Sequence, residues 1–367
     1  MILQNDFKRQ WDEVAEKVLG AVRRVGSSGW YILGAEVAAF EKELAAGWGV
    51  AHAIGTANGL DALEIGLRCL GLRPGDKVLT TPLSAFATTL AILRADGVPV
   101  FVDVDATGGI DLAQCRQILA RDRSIRFLLP VHLYGHALDM DELRKLRRDF
   151  ELNLLEDCAQ AIGANRVGTA GHAAATSFYP TKNLGALGDA GAILTNDPAI
   201  AQAASEMRNY GQSAHYVHSR LGLNSRLDEL HAAILRDAFL PHLTAWTQAR
   251  RQIAEKYLAG IRHSAIAFAA PAAVDDSVWH LFPMLVKDRE KFREHLRGRG
   301  ITTGVHYPCI IPEQSALSAT TTTKSSPAEF PNARRFARDE VSLPIHPFLT
   351  ADEVETVIAA CNSWEHS

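Results

Sequence analysis

No stretch of about 18 uncharged apolar residues occurs anywhere in the chain, so no membrane-spanning helix is expected. A basic excess is also lacking. The formal net charge is −4 and the sequence pI is near 6.4, which argues against nucleic acid as a partner. A local basic pocket for a phosphorylated ligand survives that averaging. Cysteine is scarce: Cys69, Cys115, Cys158, Cys309 and Cys361 are odd in number and lack the paired spacing of metal ligands. They read as reduced thiols of a cytoplasmic enzyme, with no metal called for and none of them a nucleophile. The opening residues MILQNDFKRQWDEV are charged and lack the apolar centre of a secretory signal. A G-x-G-x-x-G spacing is missing from the strand–turn–helix segment GTANGLD, which sets aside a nicotinamide oxidoreductase. No internal repeat is found.

What is present is ordinary for a globular protein: 367 residues, 47% hydrophobic and 22% charged, enough for two or three domain-sized units. Residues 1–50 read as helical, broken at Gly26-Ser27-Ser28-Gly29. Short apolar runs then suggest strands at Ala51–Gly55, Lys77–Thr81, Val98–Val104, Phe127–Leu133, Leu152–Glu156 and Ala190–Thr195. Helical stretches separate them; after the first, Leu60, Leu63, Leu67 and Leu70 share one face. This alternation implies an α/β fold with a mostly parallel sheet covered on both faces, and ligands at the carboxyl edge of its strands. From about residue 227 a long helical tract begins. A smaller α+β unit follows, with a strand at Trp279–Val286 and helices at Arg289–Arg299 and Ala351–Cys361. The expected division is a large domain, 1–245, and a small one, 246–367. Gln314–Ser326, rich in Thr and Ser, reads as a surface loop.

The candidate chemistry lies in the loops after the strands. Lys182 sits in a polar, glycine-rich turn, SFYPTKNLGALGDAG, where it can project into a cleft or merely be a solvated loop lysine. Glu156 and Asp157 end an apolar strand, which suits either a buried charge partner or a helix cap. Gln160 follows three residues later. In GTANGLDAL, a strand leads through Asn58 and Gly59 into an amphipathic helix, offering free N–H groups to a phosphate. Phe86 stands just beyond another strand, as core or as a flat platform.

Together these pieces resemble the DegT/DnrJ/EryC1/StrS family of sugar aminotransferases that use pyridoxal 5'-phosphate (PLP). The resemblance runs in order over nearly the whole chain. It includes SGWYILGAEVAAFE, GTANGLDAL, PVHLYGHALDM, EDCAQAIGA, SFYPTKNLGALGDAGA, RNYG, GLNSRLDEL, GVHYP and SLPIHPFLT. Ala190 departs from it, standing where relatives commonly carry Gly. The fold implied is the type I aminotransferase fold. The roles implied are Lys182 as Schiff-base lysine and general base, Asp157 as partner of the pyridinium nitrogen, and Gln160 at the ring's phenolic oxygen. Phe86 would stack on the ring, while Asn58 and Gly59 backbone groups and the Ser177 hydroxyl would hold the phosphate. Asn224 would reach the phosphate of the neighbouring subunit, which implies a homodimer with shared active sites. Tyr179 and His306 would face the sugar.

The reaction so implied passes an amino group from glutamate or glutamine to a nucleotide-linked keto sugar. The wording NGLDAL looks most like enzymes acting at C3 of dTDP-linked 3-keto-6-deoxyhexoses; a 4-keto sugar aminotransferase is the alternative. Relatives that dehydrate sugars carry histidine where this chain has Lys182. A regulatory protein that had lost turnover should have lost Lys182, Asp157 or Gln160, and all three are present.

Overall fold

The computed structural model describes residues 1–318 and 329–365. Most of the Thr/Ser-rich stretch expected to be a surface loop therefore lies outside the described residues. The chain opens with α1 (Phe7–Ser28) and α2 (Ala35–Trp48). Then come β1 (His52–Thr56), α3 (Gly59–Cys69), β2 (Lys77–Thr80), α4 (Phe86–Arg94), β3 (Val98–Phe101), α5 (Leu112–Arg121) and β4 (Phe127–Leu129). Next are α6 (Met140–Asp149), β5 (Asn153–Asp157), β6 (Ala173–Ser177), β7 (Gly191–Thr195) and α7 (Pro198–Met207). A short hairpin, β8 (Gln212–Ala214) and β9 (Val217–His218), leads to α8 (Glu229–Ile234) and α9 (Leu243–Gly260). The C-terminal part holds β10 (Ile266–Phe268), β11 (Phe282–Val286), α10 (Arg289–Gly298), α11 (Ser315–Ser318), α12 (Pro331–Asp339), β12 (Glu340–Leu343) and α13 (Ala351–Asn362).

Seven strands form the main sheet in the order β1-β7-β6-β5-β4-β2-β3. The pairs β2–β3, β2–β4, β4–β5 and β5–β6 are parallel, and only β7 runs against its neighbours. Parallel strands buried on both faces need continuous apolar runs, and β4 and β7 are buried at every residue. The ends of β1, β5 and β6 and the start of β7 therefore meet at one edge: Gly191 pairs with both Thr56 and Ser177. A second, three-stranded antiparallel sheet, β10-β11-β12, lies on its own core of Tyr257, Trp279, Phe282, Phe292 and Trp364. Ile2 joins that core although it opens the chain.

Three expectations are corrected. Helix α1 runs through Gly26–Ser28, which sit on its solvent face, and stops only at Gly29, whose left-handed φ of +67° suits glycine. The strand expected to reach Leu133 ends at Leu129; beyond Pro130, which has no N–H to donate, only an isolated Val131–Asp157 bridge continues the pairing. The strand expected from Trp279 begins at Phe282; Trp279 itself is left-handed (φ +46°) and turns the chain into it. In the helical tract after residue 227, a π-helical turn over Leu235–Phe239 and a 3-10 turn at Leu240–His242 separate α8 from α9.

Candidate active site

Asp157 closes β5 at the sheet's carboxyl edge and is 4% exposed. Its oxygens accept from the Thr88 hydroxyl at 2.8 Å and the Ala159 N–H at 3.1 Å, both neutral donors. Burial pushes this carboxyl's pKa up; those hydrogen bonds and the charge of Lys182 pull it back. An anion held by neutral donors at a strand end is well disposed to receive a ligand cation.

The strand is pinned one residue earlier. Fully buried Glu156 accepts from His132 Nε2 at 3.0 Å, Gly168 N at 2.8 Å, Ala170 N at 2.8 Å and Gly171 N at 2.7 Å. His132 Nδ1 accepts from Leu138 N at 3.2 Å, which leaves the imidazole proton on Nε2. These groups and Cys158 lie within 4.8 Å of one another, a spacing a metal could use, but the imidazole and carboxylate are already committed and burial pushes the Cys158 thiol up. The cluster acts as a hub that ties two loops to the strand carrying Asp157. Glu156→Ala should lower stability by at least about 3 kcal/mol, since it orphans several buried donors. Urea unfolding measures this, and a loss below about 1 kcal/mol would remove the hub from the account.

At the neighbouring strand end, Asn58 caps α3, accepting from Asp61 N at 2.8 Å, so what it and Gly59 can offer a ligand is backbone. A Cβ on Gly59 would stand 2.7 Å from Ser177 Cβ, so only glycine lets the helix approach β6 this closely. The first N–H groups of α3, which have no intrahelical acceptor, thus open beside the Ser177 hydroxyl, an arrangement that can receive an anion. Ala57 N donates to Ser225 Oγ at 3.1 Å, which places the NSRLDEL segment against the same turn. Asn224 is exposed and its side chain has no hydrogen bond among the described residues.

Lys182 faces this edge from a turn closed by Lys182 N to Tyr179 O (2.8 Å) and Ala186 N to Phe178 O (2.7 Å). Desolvation pushes its pKa down to about 8, against the pull of Asp157. The sign of the linkage follows. Between pH 8 and the ordinary lysine value of 10.5 the unfolded chain holds a proton that the folded chain has released, so this group's contribution to stability rises with pH there. Lys182→Met should flatten that rise in cofactor-free protein; urea unfolding at pH 8 and pH 10 tests it, and an unchanged slope contradicts it.

Gln160, 5% exposed, is held at both ends: Oε1 accepts from Tyr134 N at 2.6 Å and Nε2 donates to the Tyr307 hydroxyl at 3.1 Å, leaving one N–H. Phe86 opens α4 two residues before Thr88; it is half-buried and belongs to none of the apolar clusters. His306 lies near enough to Lys182 to feel its charge, and burial with that charge pushes its pKa down to about 4. Its Nδ1 contacts Ser342 Oγ at 2.9 Å, Ser342 donates to Glu340 at 2.5 Å, and Glu340 accepts from His306 N at 2.6 Å. Burial pushes the Glu340 carboxyl up to about 8, so it is mostly protonated at neutral pH and the His306 tautomer follows its state. Tyr179 is 51% exposed at the rim.

The structure thus gathers Lys182, Asp157, Gln160, Ser177, Asn58, Gly59, Phe86 and His306 at one sheet edge, with Tyr179 and Asn224 at its outer margin. Sequence reasoning missed Thr88, Tyr307, His280, Arg250, Glu340 and Ser342. Tyr307 and Ser342 lay inside quoted motifs, GVHYP and SLPIHPFLT, and a hydroxyl two residues after Phe86 was visible in AFATT. His280 is buried, and desolvation with the nearby Lys182, Arg250 and His306 keeps its ring neutral.

The sequence model of the DegT/DnrJ/EryC1/StrS aminotransferase family matches residues 12–362. A dTDP-3-amino-3,4,6-trideoxy-alpha-D-glucose transaminase from Streptomyces venezuelae is 40% identical, covering 98% of this chain and 95% of that protein. A dTDP-3-amino-3,6-dideoxy-alpha-D-galactopyranose transaminase from Aneurinibacillus thermoaerophilus is 42% identical, covering 95% of each. The crystal structure of S. venezuelae DesV in complex with a ketimine intermediate superposes with a TM-score of 0.93 at 40% identity, over 99% of this chain and 98% of that one.

Proposed function

This chain belongs to the DegT/DnrJ/EryC1/StrS aminotransferase family, and from that premise we propose that it aminates C3 of a dTDP-linked 3-keto-6-deoxyhexose. The enzyme is a PLP-dependent transaminase. The observation that carries the finer reading is that two relatives at 40% and 42% identity, from different organisms, are both named for 3-amino dTDP-sugars.

The residues fit the cofactor. A buried carboxylate with only neutral donors suits a protonated pyridine nitrogen, and the cup of α3 N–H groups beside Ser177 suits a phosphate. When bound, PLP supplies an electron sink for charge developing on the reacting carbon. In our reading Lys182 Nζ would hold the cofactor and, as a free amine, would carry the proton to and from the sugar carbon. An amine with its pKa near 8 is partly unprotonated at neutral pH, as that duty requires. Asp157 keeps the ring nitrogen protonated. Gln160 would use its remaining N–H at the ring's phenolic oxygen, and Phe86 would offer the ring a flat surface. The Ser177 hydroxyl and the Asn58 and Gly59 backbone hold the phosphate. His306 and Tyr179 meet the sugar.

Asn224, exposed and uncommitted, reaches the phosphate of a second copy in a two-fold dimer. Large apolar side chains left bare support that assembly: Trp30, Tyr31 and Leu187 are each more than half exposed, and the Tyr31 carbonyl is tied to Glu229 N of the NSRLDEL segment. The amino donor is glutamate or glutamine. Five free thiols suit a reducing, cytoplasmic compartment, and no described helix is long and apolar enough to cross a membrane.

The test runs the sugar half of the reaction backwards. PLP-loaded enzyme is mixed separately with a dTDP-3-amino-6-deoxyhexose and with its 4-amino isomer while the cofactor's absorption band is followed. Loss of the band with the 3-amino sugar alone is expected. Loss with the 4-amino sugar alone would keep the chemistry and move the reacting carbon.

A further inference from the structure

Behind the Lys182 turn, where the N-terminal segment meets the C-terminal core, lies a narrow cavity of about 20 Å³. Lys182, Asn183, Trp246, Arg250, His346 and Asp6 are among the residues that line it. Space of that size takes about one water-sized group, such as one oxygen of a ligand's head, and excludes a sugar ring or a nucleotide.

Two of its side chains lack what burial ordinarily demands. Arg250, on α9, is 5% exposed, and one nitrogen, Nη1, makes both of its hydrogen bonds: to Ile345 O at 2.6 Å and Trp279 O at 3.3 Å. No carboxylate pairs with it among the described residues, and desolvation alone acts on its pKa, pushing it down to about 10. A buried guanidinium without an anion is costly, and its remaining N–H groups form a fork suited to a carboxylate. His346 is 3% exposed, and neither ring nitrogen has a hydrogen-bond partner; the Leu3 backbone lies near it but outside hydrogen-bonding geometry. Of the acids whose charge reaches it, Asp6 caps α1, accepting from Arg9 N at 3.0 Å, and Glu353 pairs with Arg9 at 2.7 Å.

We infer that Arg250, with His346 beside it, is the receptor for the α-carboxylate of the amino donor. The inference rests on the transaminase reading and extends it to the donor half of the cycle. The chemistry of an amino acid requires the placement. Its carboxylate sits on the same carbon as the reacting nitrogen, so a receptor for it must adjoin the lysine, and both Arg250 and Lys182 lie close enough to His280 to shift its ring. A keto sugar has no carboxylate, so this pocket serves one half-reaction and leaves the other to the open side of the site. The rival reading is that Arg250 only clamps the two carbonyls.

The test uses PLP-loaded enzyme, wild type and Arg250→Gln, with Arg250→Lys as a milder variant that keeps a charge at the carbonyls. Band loss is followed with L-glutamate and with its α-amide, isoglutamine, which lacks only that carboxylate. Wild type should use glutamate about 10²-fold better than the α-amide, the weight of a charge-assisted pair. Arg250→Gln should erase that preference while changing the α-amide rate little, and Arg250→Lys should fall between. Equal losses for both compounds would show a clamp and overturn the inference, as would no loss with either.

Calorimetry with 2-oxoglutarate provides a readout free of turnover. Wild type should bind it at least about 10-fold more tightly than Arg250→Gln, and equal affinities would overturn the inference by themselves. If wild type reacts with neither amine yet 2-oxoglutarate binding depends on Arg250, the donor reading fails and the carboxylate site stands.

Discussion

Lys182→Ala is expected to lower turnover by about 10³-fold or more, because it removes the group that joins the cofactor and the base that carries the proton. The fold should be untouched. The Lys182 side chain makes no ion pair or hydrogen bond among the described residues and belongs to no apolar cluster. Its backbone bond to Tyr179 O survives the substitution. Removing a desolvated amine also relieves a cost, so cofactor-free variant should melt at or slightly above the wild-type temperature. Steady-state assay with circular dichroism melting checks both parts. Turnover close to wild type would take the reaction away from Lys182; a collapsed fold would mean that its role is structural.

Asp157→Asn should have the next largest effect, a loss of about 10²- to 10³-fold with weakened cofactor binding. Asparagine keeps the volume and can still accept from Thr88 or Ala159, so what disappears is the negative charge. Without it nothing at this strand end favours a protonated ring nitrogen. Since a buried charge is removed and not orphaned, stability should change little. The variant is checked by titrating cofactor into the apo-protein and measuring turnover at saturation. Full activity at saturating cofactor would mean that Asp157 serves only binding.

β1 and β5 were legible because each is a short apolar run ending in a polar residue, as in NLLED, where the pattern places Asp157 at the sheet edge, whereas the alanine-rich β6 (AAATS) was not read as a strand. Other strand ends were read one to four residues too long where Pro130 or a turn stopped the ladder. The gathering of Lys182 with Asp157 and Gly59 followed from the order of strands and helices once the edge was known. The second layer was not legible. Arg250 finds its carbonyl partners 29 and 95 residues away, and Glu340 reaches back 34 residues to His306. Such contacts leave no period in the sequence. His346 stood inside a quoted motif without a role, because only packing shows that its ring is buried without a partner.

The most direct test of the account is to locate the cofactor on the chain. PLP-loaded enzyme is reduced with borohydride, digested and mapped by mass spectrometry. The account predicts a reduced pyridoxyl group on the peptide carrying Lys182 and on no other lysine, and no labelled peptide when the protein is first treated with L-glutamate. A label on a different lysine would contradict the site.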